Sequence, residues 1–144
     1  IALSQQSILT SGTVAEKIQF YNTIVSTEEV SGAIWLRTHR NPVIVTYADF
    51  DCRQDLLLAF AFITKEQSKI VYNTTEKIDG PSYFFFRKLN IIEGIMSGAQ
   101  KIGHSDAFNA TYIRNQLSFN SNLIYSNGGS EIYWVFRPVN IREK

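Results

Sequence analysis

Two runs of alternating side chains close on Asn127-Gly128-Gly129, and this segment constrains the fold more than any other. Leu117, Phe119, Leu123 and Tyr125 alternate with polar residues before the turn; Ile132, Trp134 and Phe136 recur with the same period after it. Period two with one apolar face is the pattern of a half-buried antiparallel strand. Asn-Gly supplies, at least steric cost, the positive φ that a type I′ turn needs at both central residues. The reading is a β-hairpin whose apolar face the rest of the chain must cover.

Upstream, Thr13-Val-Ala-Glu16 has the form of a capping box. Val14, Ile18, Tyr21 and Val25 follow at helical spacing, which predicts a helix over 13–26 with Ser31-Gly32 as its stop. Residues 33–37 and 43–47 read as two short strands about the turn His39-Arg-Asn-Pro42. In 56–63, large side chains alternate with smaller ones, as in a central strand, and 69–75 reads as its return. Phe85, Leu89, Ile92, Met96 and Ala99 form a stripe that predicts a long helix over 82–101, opened by Pro81. Residues 111–114 lead into the hairpin, and the tail from Ile141 reads as loose. This order predicts an α+β fold in a single domain over 1–144. A mostly antiparallel curved sheet, or a small open barrel, packs on one long helix, with an N-terminal helix before it. Residues 1–12 are loose or lead from a removed N-terminal anchor, and the start at Ile1 fits either such processing or trimming.

Composition narrows the function classes. The net charge is +1, and the basic residues are scattered, so no phosphate-tracking stripe exists and nucleic acid is not an expected partner. The longest apolar run, 56–63, is far short of the roughly 20 residues that cross a bilayer. Any membrane attachment would use a segment outside this chain. Charged residues make up 19%, below the usual quarter, a balance commoner in extracytoplasmic and viral proteins. A single cysteine, Cys52, excludes a disulfide scaffold and reads as a small core residue.

Chemical motifs are sparse. Asp49, Asp51 and Asp55 form an acidic cluster, but Gln54 and Phe60 stand where a calcium loop needs Gly and Glu. Cys52 with His39 or His104 would make a thiolate and its base, yet no flanking signature supports the pair. The two histidines are instead the candidate pH sensors. No nucleophile elbow, phosphate loop or zinc spacing occurs, and neither a catalytic residue nor a cofactor is expected. Asn73-Thr-Thr75 and Asn109-Ala-Thr111 match the glycosylation pattern. The aromatics exceed what one sheet face needs. Tyr83, Phe84, Tyr112, Tyr125, Tyr133 and Trp134 are the candidates for a ligand or partner surface.

The start at Ile1, the Thr13 helix and the hairpin at Asn127-Gly128 together resemble the periplasmic partner subunits of membrane-anchored, ToxR-like transcription activators. That resemblance implies heterodimerisation in the periplasm and a response to pH or an amphipathic ligand. It carries over no functional residue. The sequence thus predicts a non-enzymatic extracytoplasmic sensor or interaction domain that binds a protein partner, with a small apolar ligand or pH as a signal. The alternatives are a viral or cell-surface assembly protein, or an enzyme whose site matches no motif.

Overall fold

The computed structural model describes residues 12–98 and 107–143. Thr13 opens α1 (Val14–Thr23) with the expected capping box: its hydroxyl accepts from the Glu16 amide at 3.2 Å, and Glu16 accepts from the Thr13 amide at 3.1 Å. The helix ends earlier than expected because a second capping box, Ser26 with Glu29, starts α2 (Thr27–His39). Residues 33–37 are therefore helical, and the expected hairpin of 33–37 with 43–47 does not form. Gly32 is not a stop. It sits inside α2, where a Cβ would lie 2.7 Å from the Ser130 Cβ, so the missing side chain lets the helix approach the sheet closely.

After β1 (Thr46–Ala48), the Asp49 carboxylate accepts from the Cys52 amide at 2.8 Å and caps α3. That helix runs as Phe50–Cys52, a π-helical segment Arg53–Leu57, and Leu58–Phe60. The expected central strand over 56–63 is thus a helix. Leu56 and Leu57 are buried while Leu58 is exposed. A continuous apolar run carries no period that tells a strand from a buried helix turn. A short 3-10 turn (Lys65–Gln67) leads to β2 (Ser68–Ile70), then β3 (Lys77–Ile78).

The expected long helix over 82–101 is replaced by β4 (Ser82–Arg87), a short α4 (Lys88–Ile92) and β5 (Ile95–Met96); residues 99–101 lie outside the described residues. Every residue of β4 is buried, so Tyr83-Phe-Phe-Phe86 reads as an unbroken apolar run, as strands covered on both faces do. Gly94 follows the α4 C-cap with φ +68°, the left-handed position that ends many helices.

β6 (Phe108–Asn109) pairs with β5 and runs into α5 (Ala110–Asn120). Residues 117–120 are therefore helix, not the first half of the hairpin. Ala110, Ile113 and Leu117 bury one helical face, while Phe119 is 85% exposed. The hairpin itself stands, with β7 (Asn122–Ser126) and β8 (Ser130–Val135) antiparallel. Its turn differs from type I′. Among the described residues only Gly128 of the turn has positive φ (+87°), the sign pattern of type II′. The Asn127 side chain closes the turn by accepting from the amides of Gly129 and Ser130 at 3.1 and 2.9 Å. The tail is pinned, not loose: β9 (Val139–Asn140) pairs with β3, Ile141 is buried, and its amide donates to the Glu76 carbonyl at 2.9 Å.

The architecture is α+β, built on a five-stranded sheet in the order β2-β1-β4-β8-β7. Four of the six strand pairings among the described residues are antiparallel, as expected, but the central sheet also contains parallel pairs. β1 lies parallel to both β2 and β4, and β8 lies antiparallel to β4 and β7. No closed barrel forms among the described residues. Helices cover both faces. Tyr83, Phe85 and Ile132 pack with Leu36, Leu56 and Leu57 from α2 and α3. Phe84, Phe86, Tyr133 and Val135 pack on the other face with Ile113 and Leu117 of α5.

Candidate functional site

Strand alternation sorts the predicted aromatic residues onto opposite faces. Tyr83 of β4 lies opposite Trp134 of β8, with ring centroids 5.2 Å apart, on the α2 face. The Tyr83 hydroxyl accepts from the Asn41 amide at 2.9 Å. Beside them, Trp35 is held between two rings: His39 at 4.2 Å and Tyr125 at 4.9 Å, both stacked. His39 ends α2 instead of sitting in a turn, and its Nδ1 lies 2.8 Å from the Trp35 carbonyl, which makes Nδ1–H the donor. The Tyr125 hydroxyl accepts from Asn127 at 3.0 Å. Tyr83, Trp134, Tyr125 and His39 are thus brought to one face, with Trp35 as the ring that the sequence did not single out.

The other candidates do not join them. Phe84 is fully buried and Tyr133 nearly so, both on the α5 face, so they are core and offer a partner no surface. Tyr112 is half-buried on α5, beside a shallow depression that Tyr72 and Phe108 also line. His104 lies outside the described residues.

A second constellation escaped the sequence. The parallel pairing of β1 with β4 puts both carboxyl ends at one edge of the sheet, the position where α/β sheets open a crevice. Arg87 ends β4 there with no exposed surface. Its Nε donates to Glu29 Oε2 at 2.7 Å, one terminal nitrogen to Asn22 Oδ1 at 2.8 Å, and the other to the Tyr21 carbonyl at 2.6 Å. Asp55 lies 3.7 Å away. Next to it, buried Asp49 accepts from the Cys52 amide, from Asn90 at 2.8 Å and from the Ser97 amide at 3.0 Å, while Ser97 Oγ donates to Asp51 at 2.6 Å. Four helices, the sheet and the turn after β5 are tied through one polar knot.

The electrostatics leave little reactive chemistry in the knot. Burial pushes the Asp49 carboxyl up despite its three donors. Asp55 is likewise raised, by burial against the pull of Arg87. Burial and then Asp49 push the Cys52 thiol well up, which disfavours the thiolate form. Burial would lower Arg87, but Glu29 and the other acidic groups around it together outweigh that and raise it. Tyr21 is pushed to about 12, by burial and then by Glu93 and Glu29. Among the described residues no three His, Cys, Asp or Glu are arranged to hold a metal. The solvent side of the knot is a shallow depression of about 460 Å³ that includes Asn22, Asp51 and Asp55. A usable sequence signal existed only for part of this: Ser26-x-x-Glu29 marks the start of α2. Nothing local pairs Glu29 with Arg87, 58 positions later.

A family model described as "Predicted membrane protein (DUF2206)" matches residues 5–133. The chain belongs to that family. No curated protein and no solved structure gives a significant match. In this DUF2206 chain, no helix among the described residues is long and apolar enough to cross a membrane. Of the two glycosylation triplets, the one at Asn109 is used by the fold. The Asn109 side chain accepts from the Thr111 amide at 2.7 Å and caps α5.

Proposed function

We propose that this chain is an extracytoplasmic recognition domain of a membrane protein, and that it binds a protein partner along β7. The observation that carries the reading is the exposed edge of the sheet. β7 is the last strand in the order, and among the described residues no strand lies beyond it. Its consecutive Leu123 and Ile124 are exposed, at 50% and 37%. An open edge offers unpaired backbone donors and acceptors to an extended segment of another chain, and side chains along it select which segment fits. The pairing with β8 slips between Leu123 and Tyr125, leaving Ile124 as the bulged residue. Such a bulge limits indiscriminate strand addition along the edge. The family description supports attachment to a membrane, and the domain itself stands outside the bilayer.

His39 gives this surface a route to pH sensing. It stacks on Trp35, which stacks on Tyr125 of the edge strand, so the imidazole lies two rings from the binding edge. The partner suggested by the resemblance is a membrane-anchored transcription regulator in the periplasm. An amphipathic ligand would bind in the shallow depressions.

Site-specific photo-crosslinking from position 124 in the intact membrane-borne protein tests this reading. A discrete adduct with a different protein is expected from 124 and not from Asn115, which is exposed on α5. Adducts only between copies of the chain would favour the assembly alternative. Equal adducts from both positions, or none, would remove the edge as the binding surface.

A further inference from the structure

On the α2 face, away from β7, a second exposed surface combines apolar side chains with cations. Phe62 is its centre. Ala61 and Ile63 on either side are buried, while Phe62 is 62% exposed. Its φ is +54°, in the left-handed region where a bulky residue is an outlier. The Ile63 amide donates to the Leu57 carbonyl at 3.0 Å, so Phe62 occupies the helix-end position usually held by glycine. The strained backbone turns an aromatic ring outward where a glycine would leave the surface flat.

The Arg37 guanidinium lies 4.7 Å from the Phe62 ring centroid. Ile34, one turn earlier on α2, and Leu58, one turn before Phe62, are also exposed. Gln67 ties the loop after α2 to the same shoulder: it accepts from Arg40 at 3.3 Å and donates to the Pro42 carbonyl at 3.5 Å. Next in that loop, Val43 is 86% exposed. Charge along the shoulder is mainly positive: residues 34–47 and 56–67 hold Arg37, Arg40 and Lys65 against one acid, Glu66, although the whole chain is nearly balanced at 14 basic to 13 acidic residues.

We propose that this shoulder docks on an anionic lipid surface, with Phe62, Leu58, Ile34 and Val43 entering the headgroup boundary and Arg37 and Lys65 lying against lipid phosphates. Shallow insertion of apolar side chains ringed by cations is how peripheral elements hold a bilayer. Anionic headgroups complement the cations, and the attraction falls off within a Debye length. The inference rests on the reading of the chain as a domain held beside a membrane. It adds that the domain lies on the bilayer by a defined face and leaves β7 open to its partner.

Flotation of the full chain with vesicles of phosphatidylcholine, with and without phosphatidylglycerol, tests it. The wild type is expected to float with the anionic vesicles and to dissociate as salt is raised. Phe62→Gly suits the local backbone and keeps the fold, and its partition should fall by about tenfold with an unchanged or higher Tm. Arg37→Gln with Lys65→Gln should remove the preference for anionic vesicles. A wild type that stays unbound with both vesicles overturns the proposal. So does a Phe62→Gly chain that floats like the wild type, or a protein adduct from a crosslinker at 62 in place of flotation. The crosslink from position 124 is read separately. Its loss with flotation intact sinks the partner reading alone, and the reverse result sinks this one alone.

Discussion

Removing the charge of Arg87 should unmake the junction between the helices and the sheet. In Arg87→Met the long apolar side chain fills much of the space, but Glu29 remains without exposed surface and loses its cation. Three hydrogen bonds of 2.6–2.8 Å, to Glu29, Asn22 and the Tyr21 carbonyl, disappear together. Leaving one member of a buried pair uncompensated costs about 3–5 kcal/mol, against a total stability of roughly 5–15 kcal/mol. For a domain of this size the melting temperature should fall by roughly 10–15 °C. Glu29→Gln keeps an oxygen for the Ser26 amide, preserving the α2 cap, but removes the charge and turns the acceptor facing Arg87 Nε and the Lys88 amide into an NH2 donor. It should cost about 3 kcal/mol by the same logic. The double variant buries neither charge, so it should be no worse than Arg87→Met alone. Urea unfolding of the four proteins, followed by Trp35 and Trp134 fluorescence, gives the coupling energy. We expect it to exceed about 2 kcal/mol. Additivity within about 0.5 kcal/mol would refute the argument, because independent sites add to that degree.

Gly32→Ala would improve helix propensity by about 1 kcal/mol in isolation, but its Cβ would meet the Ser130 Cβ at 2.7 Å. A net loss of about 1–3 kcal/mol is expected, as for other overpacked cores, and a thermal melt at or above wild type would disprove the close approach. Asp49→Asn tests the buried carboxyl. Its folded pKa is raised by burial, so ionisation is harder in the folded protein, and wild-type stability is lost as pH rises from the unfolded carboxylate range, about pH 4, through the folded pKa. Relative to Asp49→Asn, the wild type should gain stability as pH is lowered through that window. Parallel stability curves for the two proteins would contradict it.

Legibility in the sequence followed the range of the interaction. The Thr13–Glu16 box opens a helix because its two hydrogen bonds close within three residues. The turn at Asn127-Gly128 was readable for the same reason, although the choice of II′ over I′ depends on which residue takes the positive φ. Cys52 was expected in the core and is there. Among the site residues, Tyr83, Tyr125, Trp134 and His39 could be nominated by type, but their grouping needed the strand register and the last turn of α2. The stripe through Phe85, Leu89 and Ile92 misled because it spans the end of β4, where a buried strand passes directly into a short helix and the apolar spacing continues across the junction by coincidence.

By itself, then, the sequence determined what short-range hydrogen bonds, turn conformations and residue type impose: one capped helix, the C-terminal hairpin, an α+β class and a core cysteine. The tertiary structure alone decided that Tyr83-Phe-Phe-Phe86 is the centre of a mixed sheet, that 56–60 is helical, and that Glu29 and Arg87 meet 58 residues apart. A buried apolar segment has no polar face to give it a period, and an ion pair between distant residues leaves no trace in the local sequence of either partner.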